Sequence, residues 1–341
     1  MKRIICFALL GVFLLVVGCS RQTIEKTYYS EILLDNLDVP WSIDFLPNND
    51  VIFTERNGEI NLYNFDTNKL TKIGRIEVNQ ESEAGLLGIA VDPEFNKNNF
   101  IYIYYTHKNG NRVSRFVLKE QIQDEKILLD NIPNARFHDG GRIKFGPDNK
   151  LYITTGDATT SPSAQDTGSL AGKILRMNKD GSIPNDNPFN NYVYSYGHRN
   201  PQGIAWHPLT NKLYSSEHGQ SRNDEINLIL KGANYGWPLV ECTETTETFK
   251  NPIRCYSEFT LAPSGIAFNN NELYVAGLRG TQLRKLIIDA DKVLSEEILI
   301  SNLGRIRDVV VHKGYLYIAT NNRDGRGSPS PNDDKIVRIK L

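Results

Sequence analysis

Two residue types in this chain point to chemistry before any element is assigned. His138 stands in Phe137-His138-Asp139-Gly140-Gly141-Arg142, and an imidazole is the side chain whose charge changes nearest neutral pH, which is what a general base needs. The two glycines leave the ring uncrowded and permit close approach of backbone to a ligand. Arg199, Arg279, Arg305 and Arg307 are scattered along the chain. Guanidiniums gathered at one place repel one another unless an anion rich in acceptor oxygens joins them. Each residue alone has a plainer reading, an arginine as a surface ion pair and a histidine as part of the core; the functional reading requires them to meet.

A repeated unit would bring them together. A short phrase recurs, an apolar strand entered from Gly or Pro, a polar turn, then a second strand carrying Leu-Tyr or its equivalent. Ile43, Ile89, Ile143, Ile204, Ile266 and Val309 mark its six copies at spacings of 43 to 62 residues. From Pro40 onward this allows about 50 residues per copy, the size of a four-stranded blade with its loops. The expectation is an all-β, six-bladed β-propeller. A β-sandwich would also have short strands, but gives no reason for one phrase to return at blade-sized intervals. Strands of a hairpin run antiparallel, so the residues entering the first and leaving the second share one face. That rule places Glu83, His138, Asp157, Arg199, Asn200, residues 217–220, Arg279, Arg305 and Arg307 around one mouth of the channel.

Composition agrees. Lys plus Arg number 39 against 40 Asp plus Glu, a formal charge of −1, which offers no basic footprint for duplex nucleic acid. The chain is 40% hydrophobic, too apolar for a disordered tail, and its Tyr, Phe and short β-branched clusters favour strands.

Several strings together, in order from about Val39 to the C-terminus, carry a family resemblance. They include Ala84-Gly85-Leu86-Leu87-Gly88, His138-Asp139-Gly140-Gly141-Arg142, Gly172-Lys173-Ile174-Leu175-Arg176, Tyr196-Gly197-His198-Arg199-Asn200-Pro201-Gln202-Gly203, Asn234-Tyr235-Gly236-Trp237-Pro238 and Arg305-Ile306-Arg307-Asp308. The chain resembles the soluble aldose sugar (glucose/sorbosone-type) dehydrogenases that use pyrroloquinoline quinone (PQQ). The resemblance implies that His138 is the base that deprotonates the sugar C1 hydroxyl, with Asp157 orienting it. It implies that Arg199 and Asn200 contact the quinone oxygens and that Arg279, Arg305 and Arg307 hold its carboxylates. By the same resemblance the Gly219 and Gln220 carbonyls bind a catalytic Ca²⁺, and Glu225 with the Tyr235 carbonyl a structural one. An aldose substrate and an external electron acceptor follow. A tricarboxylated quinone suits an arginine-rich mouth, and Ca²⁺ suits oxygen ligands. The chain departs from the family at four places: Glu83 stands for Gln beside the histidine, Asp139 for Asn, Gln220 for Pro and Arg279 for Lys.

Residues 1–18 read as a lipoprotein-type signal: Lys2-Arg3, an apolar run over 4–17, then Val16-Val17-Gly18-Cys19. Cys19 is expected to be lipidated, 19–38 to form a tether and lead-in, and 39–341 the propeller, exported to the cell envelope with the membrane touched only through the lipid. Two cysteines then remain, Cys242 and Cys255, and in an oxidising compartment they are expected to bridge. The competing functions are a calcium-dependent sugar lactonase, which wants carboxylate and Asn metal ligands near the axis, and a propeller that only binds. The sequence leaves monomer and dimer open.

Overall fold

The computed structural model describes residues 30–242 and 248–341. Their strands form six four-stranded antiparallel sheets, the expected six-bladed β-propeller. The inner strands of blades one to six are Pro40–Phe45, Leu86–Val91, Ile143–Phe145, Pro201–Trp206, Pro263–Asn269 and Ile306–His312, each touching the inner strands on either side around the central channel.

The six register marks lie at equivalent places. Ile43 pairs with Phe53, Ile89 with Ile103, Ile143 with Ile153, Ile204 with Ser215, Ile266 with Val275 and Val309 with Ile318. All six marks are buried. Second strands such as Leu151–Thr155 are buried along their whole length, because neighbouring blades cover both faces; hence they read as continuous apolar runs instead of alternating ones. Each large aliphatic side chain so buried contributes about 1.5–3 kcal/mol. In every blade but the third the register slips near the start of the inner strand, between Pro40 and Ser42 in blade one and between Ile306 and Asp308 in blade six. Bulges of this kind re-aim the side chains at a strand's entry, here those that ring the mouth.

The ring is closed by chain from both ends. Ser30–Leu34 pairs antiparallel with Ile336–Lys340 as the outermost strand of blade six. Part of the expected 19–38 lead-in is therefore blade: Ile32 and Leu34 continue the ladder and cover the edge of Ile336–Lys340. Cys19 and the leader lie outside the described residues. Among the described residues no helix is long and apolar enough to cross a membrane.

Arg142 of blade three crosses the channel. Its Nη1 donates to Asp308 Oδ2 of blade six at 2.9 Å and to Ser42 Oγ of blade one at 3.0 Å, and its Nε donates to the Gln202 carbonyl of blade four at 3.0 Å. One fully buried side chain thereby ties four blades together.

Candidate active site

The mouth is built where second strands end and inner strands begin. His138 enters blade three through a turn with φ of 67°, and Asp157 leaves the second strand of the same blade. His138 Nδ1 lies 2.7 Å from Asp157 Oδ1. The other Asp157 oxygen accepts Trp237 Nε1 at 2.8 Å, and the Thr159 amide donates to Oδ1 at 2.8 Å. Burial raises the Asp157 carboxyl, but these donors outweigh it and hold it below the usual range. An ionised Asp157 accepts from Nδ1–H, which leaves Nε2 as the imidazole's lone-pair nitrogen, with no hydrogen bond from the described residues.

Close approach of backbone fixes this pair. A Cβ on Gly156 would sit 1.9 Å from the His138 carbonyl oxygen, and one on Gly140 2.6 Å from the Thr154 carbonyl. Gly140 is thus required by the turn packing on its own neighbouring strand, and Gly141 by the Leu87 side chain of the preceding blade, which a Cβ there would meet at 2.6 Å. Asp139 points away from the mouth: it is buried, accepts the Asn111 amide at 3.1 Å, and is pushed up to about 7 by burial.

Glu83 and Asn200 clamp the turn. Glu83 Oε2 accepts the His138 amide at 3.1 Å and Asn200 Nδ2 at 3.2 Å, while Asn200 Oδ1 accepts the Gly140 amide at 3.1 Å. Glu83 Oε1 accepts Arg326 Nη1 at 3.1 Å. Burial raises Glu83, but His218, Arg326 and the His138 amide bring it down to about 2.

Three of the four expected arginines gather, and their surroundings differ. Arg199 Nη1 donates to the His218 carbonyl at 3.2 Å, but its buried Nε has no partner, and neither has His218 Nε2. Arg305 donates through Nε and Nη2 to Asp324 Oδ2, at 3.1 and 2.8 Å. Arg307, 4% exposed, reaches only neutral oxygens: Gln202 Oε1 at 2.6 Å, Asn321 Oδ1 at 3.3 Å and Ser264 Oγ at 3.4 Å. Burial without a paired carboxylate pulls it down to about 9. Arg279, on the turn after the buried Leu278, is exposed. Arg56 joins the buried group: Nη1 donates to the Ser82 carbonyl at 2.7 Å and Nε is unpartnered. The strand-end rule applied to copy one finds Arg56. Trp237 lies in the Asn234–Pro238 family string but with no role read for it, and no sequence signal marks Asp324 or Arg326, whose loop follows no repeat.

Beside Arg199 opens a narrow polar cavity lined by Glu217, Gly219, Glu225, Tyr235 and Glu241. Gly219, Glu225 and Tyr235 of the expected calcium ligands thus share one space, and Gln220 is on the adjoining turn, its amide donating to Glu241 Oε1 at 3.2 Å. No hydrogen bond from the described residues ends on the Gly219 or Gln220 carbonyl. Glu217 is committed to the scaffold, accepting from His198 Nδ1 at 2.9 Å and from the Arg199 amide. Burial, with Glu217 nearby, raises Glu225 to about 8, and its Oε1 accepts the Cys242 amide at 2.8 Å. The expected disulfide is formed: Cys242 and Cys255 are bonded with Cα atoms 5.5 Å apart. It fastens the cavity's outer loop to the strand beside Glu225.

Comparison with known proteins points the same way. The family model described as Glucose / Sorbosone dehydrogenase matches residues 37–334. The aldose sugar dehydrogenase YliI of Escherichia coli is 32% identical over 352 residues, covering 92% of this chain and 95% of that protein. Quinoprotein glucose dehydrogenase B of Acinetobacter calcoaceticus is 36% identical over 256 residues, 63% of this chain and 53% of its own. The PQQ-bound aldose sugar dehydrogenase of Streptomyces coelicolor superposes with a TM-score of 0.88 at 35% identity, covering 92% of this chain and 98% of that one.

Proposed function

We propose, from the premise that this chain belongs to the glucose/sorbosone dehydrogenase family and is a sugar-oxidising oxidoreductase, that it converts aldoses at C1 to lactones with PQQ and Ca²⁺. The observation that carries the reading is the His138–Asp157 pair opening onto buried guanidiniums without an in-chain counter-ion.

The residues present fit both groups. Arg199 Nε and Arg56 Nε are buried donors without acceptors, and Arg307 lacks a carboxylate, so a polyanion at the mouth would satisfy several at once. Arg305 and Arg307 would hold its carboxylates, Arg199 and Asn200 its quinone oxygens, and Glu83 would line its edge. Arg279, exposed in the chain alone, would join them at the carboxylates. Carbonyls of Gly219 and Gln220, and Glu225 with the Tyr235 carbonyl, are the oxygen donors a hard divalent cation takes. When bound, the quinone supplies the two-electron hydride acceptor and calcium the Lewis acid that polarises it, before the electrons leave to an external acceptor.

The chain's own part is proton removal and orientation. His138 takes the C1 hydroxyl proton at Nε2, and Asp157, ionised and held by Trp237, keeps Nδ1 protonated and steadies the imidazolium that forms. The lactonase alternative is disfavoured because the axis is occupied by the Arg142–Asp308 ion pair, where that chemistry needs a metal. The test is direct: purified protein is mixed with Ca²⁺ and PQQ and given glucose and a dye acceptor. Dye reduction that requires both additions is expected; none with any aldose overturns the reading. A sugar panel then identifies the preferred substrate.

Export as a lipoprotein is part of the same proposal, supported by the leader's pattern and by a disulfide suited to an oxidising compartment. Mass spectrometry of the mature N-terminus should find an acylated Cys19; an unmodified terminus elsewhere would contradict it.

A further inference from the structure

We propose that Arg326 is a positioning residue for His138, acting through Glu83, so that the loop 321–335 of blade six latches across the mouth and sets the placement of the base. The starting observation is the φ of 67° at His138, a left-handed backbone state that a side chain with a Cβ occupies only when its surroundings hold it. The His138 carbonyl accepts the Ala158 amide at 3.2 Å and the Asp139 carbonyl accepts the Tyr104 hydroxyl at 2.9 Å, and two carboxylates take the donors of the turn. Asp157 takes the ring, and Glu83 Oε2 takes the amide while also accepting Asn200, which in turn holds Gly140. Glu83 therefore holds two backbone donors of the turn, the His138 amide directly and the Gly140 amide through Asn200.

That carboxylate is fixed from the far side of the ring. Arg326, 243 residues away in sequence, donates Nη1 to Glu83 Oε1 at 3.1 Å and Nη2 to Ser82 Oγ at 2.9 Å. Its guanidinium carbon lies 5.2 Å from the centre of the Phe137 ring, so the same fork also braces the residue preceding His138. The Arg326 amide is held by Asp324 Oδ1 at 2.8 Å, and the other Asp324 oxygen grips Arg305. One loop thereby reaches both the base and a quinone-holding arginine.

A buried carboxylate stripped of its cation turns toward other positive charge, and Arg56 and Arg307 are close enough to feel Glu83. Glu83 would then release the His138 amide and let the turn relax. Misplacing a reacting group by about 1 Å costs up to about a hundredfold in rate.

The test is a double-mutant cycle on the full chain with Arg326→Gln, Glu83→Ala and both together. Its kinetic arm rests on the dehydrogenase reading; its exchange arm, run without quinone or calcium, does not. Each single change should lower kcat about tenfold with KM within about twofold, and the double variant should be no worse than either. Arg326→Lys, which keeps the charge and gives up the fork, should recover part of the loss. In the exchange arm, amides over 134–140 should exchange about tenfold faster in all three of these variants alike. Losses that multiply to about a hundredfold, or a raised KM with kcat intact, would make Arg326 a direct substrate contact and overturn the proposal, as would unchanged exchange over 134–140. Accelerated exchange in a protein that oxidises no sugar would uphold the latch while defeating the dehydrogenase reading.

Discussion

Arg142 and Arg307 are both buried and share two neighbours. Gln202 gives its main-chain carbonyl to one and its side-chain oxygen to the other, and the Trp41 ring centre lies 4.3 Å from the guanidinium carbon of Arg142 and 5.5 Å from that of Arg307. They differ in counter-charge. Arg142 meets Asp308 at 2.9 Å in the channel, whereas Arg307, one level nearer the mouth, meets only amide and hydroxyl oxygens. A buried charge with its partner in the chain is architecture; a buried charge without one is a place prepared for something else. At Arg142 the channel carries its own counter-charge, and at Arg307 the mouth does not.

The largest expected effect tests whether the mouth is chemical at all. His138→Ala should lower kcat by about 10²–10⁴ while PQQ is still bound and the melting temperature stays put; loss of PQQ binding with residual turnover intact would place His138 among cofactor contacts instead. Arg142→Met leaves Asp308 buried and unpaired, and should destabilise the protein by about 3–5 kcal/mol in urea unfolding. Arg307→Met removes an unpaired charge, so the protein without cofactor should be no less stable, while PQQ affinity falls about a hundredfold. Equal destabilisation by the two methionines would erase the distinction between channel and mouth. The smallest effect extends the comparison to acids. Asp139, unlike Asp308, has no cation, and burial raises its carboxyl from 3.8 to about 7. The folded state then holds a proton that the unfolded chain has released, so stability is lost as pH rises from about 4 through about 7. Asp139→Asn should restore about 1–2 kcal/mol at pH 8 and much less near pH 4; the same gain at both would contradict the assignment.

The blades were legible because each inner hairpin repeats a phrase, and the six marks fall at matching register. His138, Asp157, Arg199, Asn200, Arg305 and Arg307 follow from the rule that strand entries and exits share a face. Ser30–Leu34 was not legible as a strand, since its partner lies at the opposite end of the chain and the pairing has no local signal. Trp237 and Arg326 reach the site from long loops whose contacts span 80 and 243 residues. Arg279 is the exposed member of the four arginines, on the turn after Gly277, while Arg56 adds a further buried one and Arg305 is already matched by Asp324.

The central claim is that the mouth lacks negative charge which a tricarboxylated quinone supplies. Titrating the calcium-loaded protein with PQQ, followed by quinone absorbance, tests it most directly when run beside Arg307→Met. Saturation at one quinone per chain, with affinity about a hundredfold weaker in the variant, is the result expected; no saturable binding, or equal binding by both proteins, would contradict it.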